Sequence, residues 1–323
     1  MLPCSKSATA ALLLLAFTAQ SADAVIVAGA NGGGNNTENT TQADLEASLA
    51  TSFPSFNNVV AFSDSTGVYL GHNGSVGYIL TAGHVINPLT TGFPDTVGID
   101  GSTYNLLSRT GIAGADLALY SFSPNGSAFP LLDAMPIAMA DPTIGEQLIM
   151  FGRGRNRVQD AETSPLSINA NTVAVTGGTG YEGSGQILRW GTNNHILAPG
   201  GTDNPGAVVS TVGGSSESLF MQFNTPAEGT WLVTNEAQGT LGDSGGGVFT
   251  QTLSGDWELQ GVMVGISPAP VDEAAFGVFT WAVNLPEYID EIDAITGGAL
   301  IPEPSAALFA LGAFSLIFSR RRR

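Results

Sequence analysis

The sequence predicts an all-β protein, and three observations carry that expectation. Glycine is very frequent, at 42 of 323 residues, which suits a chain that turns often. Hydrophobic residues make up 43% and charged ones 12%, a mixture too apolar for wholesale disorder. From Val59 onward, short apolar runs alternate with Gly, Asn, Asp and Pro, the pattern of strands bounded by turns.

Ten such runs stand out, at residues 59–62, 67–70, 78–80, 117–122, 147–151, 187–190, 219–223, 247–249, 259–264 and 278–283. That many short strands argue for barrels or sandwiches. Helical signals are few. Residues 43–49 form one candidate. Residues 285–292 form a better one, with Pro286 at the first turn, acids after it, and Ile289 and Ile292 on one face. Two stretches read as long loops, 155–165 and 192–218, the second with a possible strand at 207–212. Residues 25–55 are rich in Gly, Asn and Thr and read as a surface or flexible lead-in.

The two ends read as targeting segments. Lys6, an apolar run at 8–19 and Ala22-Asp23-Ala24 form the three parts of a signal peptide, with cleavage expected before Val25. At the other end, Ile301-Pro302-Glu303-Pro304-Ser305 precedes an apolar stretch, 306–319, and four arginines. At 14 residues the stretch is shorter than the ~20 of a spanning helix. This layout resembles the PEP-CTERM sorting signal of bacterial exported proteins. The resemblance implies transient membrane retention, a sorting and processing machinery as partner, and delivery to the cell surface or extracellular matrix. The one cysteine, Cys4, falls inside the signal segment, so the expected mature chain has no disulfide.

Charge narrows the partners. Lys6 and the four terminal arginines account for five of the ten bases, and Asp23 and Glu303 for two of the 28 acids; residues 25–301 keep five Arg, no Lys and a net charge of −21. Such a surface repels nucleic acid. The three histidines are scattered and no His or Cys pair has ligand spacing, so neither a metal nor an organic cofactor is expected. His72 and His195 read as turn and loop residues.

Three motifs occur in order: Thr81-Ala82-Gly83-His84 at the end of an apolar strand, Asp116-Leu117-Ala118-Leu119 opening another, and Gly242-Asp243-Ser244-Gly245-Gly246. A serine hydroxyl is a weak nucleophile that needs an adjacent base. Histidine titrates near neutrality and can take and return the proton. A buried carboxylate fixes the ring tautomer. Glycines beside Ser244 allow a sharp turn that aims the amides of Gly242 and Ser244 at a developing oxyanion.

Taken together, the three motifs resemble those of trypsin-like serine proteases with the chymotrypsin fold. Leu259-Gln260-Gly261-Val262 and Gly277-Val278-Phe279-Thr280 extend the likeness, which covers about residues 56–295. It implies two six-stranded antiparallel barrels and a short C-terminal helix. It also implies a catalytic set of Ser244, His84 and Asp116, an oxyanion hole at Gly242 and Ser244, and a substrate pocket at Gln238, Val264, Ile266 and Gly277. The expected layout is a signal peptide at 1–24, a lead-in at 25–55, a first barrel at 56–135, a second barrel with closing helix at 136–298, and a sorting tail at 299–323. With no acid at Gln238 and a bulky Ile266, a small or medium uncharged residue is expected before the cleaved bond, though Glu236 is close. For Asp243 two partners stay open: a new N-terminus at Val25, or local amides.

The expected activity is endopeptidase cleavage by a monomer acting on protein or peptide. Two other readings remain, a catalytically silent surface adhesion module on the same fold and an esterase using the same three side chains. The order His, Asp, Ser disfavours the esterase elbow, whose order differs.

Overall fold

The computed structural model describes residues 25–27, 39–53, 56–63, 65–85, 87–91, 95–124, 126, 128–154, 156–157, 181–182, 187–197, 208–211, 214–224, 233–267 and 278–298. The strands of the first half are β1 (Ile26–Val27), β2 (Val59–Phe62), β3 (Ser65–His72), β4 (Gly77–Ala82), β5 (Thr96–Ile99), β6 (Ser102–Gly111), β7 (Leu117–Pro124) and β8 (Gln147–Gly152). There follow β9 (Asn156–Arg157), β10 (Tyr181–Glu182), β11 (Arg189–Ile196), β12 (Val208–Thr211), β13 (Gly214–Gln222), β14 (Ala237–Gln238), β15 (Gly247–Gln251), β16 (Trp257–Ser267) and β17 (Phe279–Asn284). Among the described residues there are three short α-helices, α1 (Gln42–Leu49), α2 (Pro88–Thr91) and α3 (Ile289–Thr296).

The all-β expectation holds: among the described residues two large antiparallel sheets are accompanied by two two-stranded ones, β1-β14 and β10-β9. The first runs β2-β3-β4-β7-β6-β5, and its edge strands β2 and β5 lie against each other, so it curls into a near-barrel. The second runs β11-β8-β15-β16-β17-β13 and closes on itself, because β11 also pairs with β13 through His195↔Met221 and Ile196↔Phe220. Closure removes the exposed edges that an open sheet would leave. Strand β12 is a hairpin extension on β13.

The polar stretch expected as a loop at 192–218 is strand at both ends, since β11 continues to Ile196 and β13 begins at Gly214. The polar side chains there bond backbone instead of water. Asn193 Nδ2 donates to the carbonyls of Ala237 and Gln222, and Thr192 Oγ1 donates to Thr234 O. Polarity thus masks a buried strand. Of the stretch 155–165 expected as a loop, Asn156–Arg157 is strand β9, paired antiparallel with β10, and the rest lies outside the described residues. Within 198–213, β12 (Val208–Thr211) falls in the strand expected at 207–212, and the rest lies outside the described residues.

The closing helix begins later and runs further than expected. Pro286 sits in a 3-10 turn, Leu285–Tyr288, and α3 follows, ending at Gly297 in the left-handed region (φ 71°). The described parts of the lead-in reach the core through Val25, Val27, Leu45 and Phe53. Val25 and Val27 are buried and β1 pairs with β14. Helix α1 is capped by Thr41, whose side chain accepts from Asp44 N. Just past it, Phe53 packs within 5.0–5.2 Å of Phe151, Phe249 and Trp257. Burying such a ring contributes roughly 2–3 kcal/mol.

Between the barrels the chain bonds to each in turn. Met135 N donates to Leu70 O in the first, and Leu259 N, in the second, donates to Pro136 O. Among the described residues no helix is long and apolar enough to cross a membrane. The expected signal peptide and sorting tail lie outside the described residues.

Candidate active site

Each of the three motif residues sits where a strand ends or begins. His84 follows β4, Asp116 immediately precedes β7, and these strands pair Ala82 with Leu117. Two neighbouring strand ends therefore bring histidine and acid together although 32 residues separate them. Gly83 is required at this crossing. Its N–H donates to Asp116 O, and a Cβ there would approach within 2.9 Å of Asp116 Oδ1. Asp116 Oδ1 accepts from the His84 amide at 2.8 Å, while Oδ2 lies 2.8 Å from His84 Nδ1. Arg109 clasps the same turn, donating from its guanidinium to Gly83 O at 2.6 Å.

Ser244 comes from the other barrel, in the turn before β15. His84 Nε2 lies 2.8 Å from Ser244 Oγ. The turn is pinned across the barrel boundary by Thr66 of β3. Thr66 N donates to Ser244 O at 3.0 Å, and Thr66 Oγ1 donates to Gly242 O at 3.1 Å. Gly245, at φ 87°, crosses so close to β3 that a side chain there would overlap Thr66 O. Thr66 carries no motif, and only the docking of the two barrels reveals it.

The carboxylate of Asp116 is fully buried, while His84 keeps 23% of its side chain exposed. An acid with no water access, aimed at Nδ1, leaves Nε2 free to accept from the serine hydroxyl. Around Ser244, the N–H groups of Asp243, Gly245 and Gly246 donate to Thr240 O, Met263 O and Asp243 O. Those of Gly242 and Ser244 have no hydrogen-bond partner among the described residues. Gly242 adopts φ 93°. Two free amides beside a hydroxyl can receive a negative oxygen.

A cavity of about 320 Å³ opens at His84 and Ser244. Its walls are Leu241, Met263, Val264, Ile266, Thr280 and Trp281. Val264 and Ile266 thus fall where the sequence reading puts a substrate pocket. Gln238 does not line it. Gln238 is fully buried in β14, paired with Ile26, and the neighbouring Gly239 and Thr240 reach the cavity instead. Gly277 lies outside the described residues. Thr280 and Trp281, which the sequence reading does not single out, face the cavity from β17, and Thr280 Oγ1 accepts from Gly239 N. The register decides this, since Gly265 pairs with Trp281 and Ile266 with Thr280.

Of the two acids that flank this region in sequence, Asp243 lines the cavity and Glu236 does not. Glu236 is buried and its Oε1 accepts from Asn224 N. Asp243 reaches the wall, but Gly154 N donates to its Oδ1 and Thr240 N to its Oδ2, each at 2.6 Å. Local amides therefore occupy both oxygens, as one of the two expectations had it. Burial pushes the Asp243 carboxyl up to about 7, against the opposing pull of those bonds and of the nearby Arg189 charge.

The other histidines stand apart. His72 stacks on Phe129, and His195 is buried with Nδ1 3.1 Å from Pro142 O. Burial lowers the pKa of His195, against the raising pull of the Thr143 and Pro142 backbone and of Glu146 and Asp141. A larger hollow of about 400 Å³, along Phe56, Val60, Asp100 and Arg153, contains neither His84 nor Ser244.

No protein-family model matches this chain, and no curated protein does either. Among solved structures it is similar to the passenger domain of plasmid-encoded toxin, an autotransporter enterotoxin from enteroaggregative Escherichia coli. The TM-score is 0.46 at 14% identity, over 75% of this chain and 22% of that one. The present chain thus spans about a fifth of that protein's length. It is also similar to kallikrein-related peptidase 10, with TM-score 0.44 at 13% identity, over 76% of this chain and 97% of that one. Both likenesses are distant, and neither bears on which residues act.

Proposed function

We propose that this chain is a serine endopeptidase of the trypsin-like class, with Ser244 as nucleophile, His84 as general base and Asp116 orienting the ring. One observation carries the reading: the unbroken chain from Ser244 Oγ to His84 Nε2 and from His84 Nδ1 to Asp116 Oδ2, each link 2.8 Å. In the reaction, His84 Nε2 takes the Ser244 proton as Oγ attacks the substrate carbonyl carbon. The resulting oxyanion accepts from the amides of Gly242 and Ser244, each worth about 3 kcal/mol of transition-state stabilisation. His84 then gives its proton to the departing amine. Water, deprotonated by the same nitrogen, cleaves the acyl-enzyme and restores the hydroxyl. Asp116 stays ionised and holds the Nδ1 proton throughout.

The cavity supports a preference for a small or medium uncharged side chain before the cleaved bond. Its walls are mostly apolar and include Ile266, and both oxygens of the Asp243 carboxylate that lines it accept from backbone amides. Export through the N-terminal segment and surface delivery through the C-terminal tail belong to the same proposal and rest on the sequence of those ends.

The test is to treat the full chain with a fluorophosphonate probe and to compare it with Ser244→Ala on casein and on a short-chain ester. Labelling and casein cleavage that both disappear in the variant are the expected result. No labelling means a silent binding module, and ester turnover without casein cleavage means an esterase; either outcome rejects the endopeptidase.

A further inference from the structure

We infer that Ser216 and Tyr288 are positioning residues that hold the loop carrying Asp116 from the far side of the barrel boundary. The inference rests on the function proposed above and adds a dependence which that reading does not contain: the acid of the first barrel is set by the second.

The loop runs from the end of β6 to the start of β7. Within it, Ile112 N donates to Leu117 O and Ala115 N to Ile112 O. These bonds close the turn but do not reach the Asp116 amide. That N–H donates instead to Ser216 Oγ, at 2.6 Å and across 100 residues of sequence. Asp116 is fully buried and Ser216 is 1% exposed. A buried N–H must find an acceptor, and water has no route to this one. Two residues earlier, Gly114 O accepts from Tyr288 Oη at 3.0 Å. The same hydroxyl accepts from Glu217 N at 2.9 Å. Ser216 and Glu217 are consecutive on β13, and Tyr288 closes the 3-10 turn before α3.

The loop is therefore gripped at two points, one directly by β13 and one through a tyrosine that β13 itself steadies. The carboxylate of Asp116 follows its backbone. A side chain with its Cα displaced cannot keep one oxygen on the His84 amide and the other on Nδ1. An error of about 1 Å in a catalytic group costs on the order of a hundredfold. Since Asp116 is needed most as the ring takes the Ser244 proton, the loss falls on kcat and not on KM.

The experiment compares the full chain with Ser216→Ala, Tyr288→Phe and Ser218→Ala, using kcat and KM on a peptide substrate. The far-downfield proton resonance of the His84 Nδ1–H group is recorded for each. Ser218 is buried on the same strand and its Oγ donates to Ser216 O, with no hydrogen bond to residues 112–117 among the described residues, so it controls for lost packing. Ser216→Ala is expected to lower kcat about tenfold and Tyr288→Phe about threefold, with KM within twofold and the resonance shifted in both. Ser218→Ala is expected to leave kcat and the resonance as in the parent. If Ser216→Ala fails to fold, Tyr288→Phe carries the same test. Unchanged kcat and resonance in Ser216→Ala, or equal losses in Ser218→Ala, overturn the inference while leaving the endopeptidase intact. A parent protein that neither labels nor hydrolyses sinks the function and the inference together.

Discussion

Asp116 meets His84 twice, with Oδ1 on the backbone amide and Oδ2 on ring Nδ1, both at 2.8 Å. One carboxylate thus fixes where the histidine begins and which way its ring faces. Both partners are N–H donors, so the site requires two acceptors from a single side chain.

Asp116→Asn supplies only one acceptor, and its NH2 must face either the amide or the ring. The ring then loses the tautomer that leaves Nε2 free. We expect kcat to fall by about 10⁴ with KM nearly unchanged and with far-UV circular dichroism as in the parent. Initial rates on a peptide substrate check this. A loss below tenfold means the carboxylate does not orient the base.

The contacts just described were legible in the sequence only in part, and the division is physical. His84, Asp116 and Ser244 announce themselves because each needs an unusual neighbour. Gly83 is forced by the closeness of Asp116, and Gly245 by its φ of 87° and the nearness of β3. Such local demands leave a local mark. The supports do not. Thr66 and Ser216 are ordinary strand residues whose partners lie 176 and 100 residues away, and nothing in their own neighbourhood predicts the meeting. The same holds for Thr280 and Trp281, which reach the cavity through the β16–β17 register. The continuation of β11 beyond Trp190 escaped for another reason, because Asn193 hides its polarity in backbone bonds.

Opening the cavity tests the specificity reading. Ile266→Gly removes a side chain from the cavity wall that β16 and β17 form together, next to its strand partner Thr280. Discrimination in an apolar pocket is worth roughly tenfold or more per group. The ratio of kcat/KM for phenylalanine over valine before the cleaved bond is expected to rise at least about tenfold, read from a peptide-library digest. An unchanged ratio separates this cavity from substrate choice.

Two glycines with similar backbone angles separate conformational strain from steric overlap. Gly255, at φ 94°, lies in the turn between β15 and β16, where an added Cβ meets only Gln251 Nε2 at 3.9 Å. Gly255→Ala is expected to cost about 1 kcal/mol, from backbone conformation alone. Gly245→Ala has the same strain and in addition overlaps Thr66 O and Thr81 Oγ1. It is expected to cost at least about 3 kcal/mol and to push the Ser244 turn off β3. Urea unfolding of the two variants measures both. Equal costs would falsify the claim that the barrels meet this tightly at Gly245.

Asp243 makes stability depend on pH in a sense opposite to that of a typical ion-paired acid. Its carboxyl is raised to about 7 from 3.8, by burial above all. Between those values the folded protein keeps the proton and the unfolded chain releases it. Unfolding then gives up a proton, so the stability this group contributes is fully present below about pH 4. It declines as pH rises through about 7 and is flat beyond. The slope is at most about 1.4 kcal/mol per pH unit. Asp243→Asn cannot ionise and lacks that slope. Urea midpoints of both proteins from pH 4.5 to 8 are expected to show the parent losing ground to Asp243→Asn up to neutrality and holding a constant difference above it. A parent that gains stability relative to the variant over the same range would mean that Asp243 is ionised in the fold, held by the Gly154 and Thr240 amides and the Arg189 charge more strongly than burial opposes it.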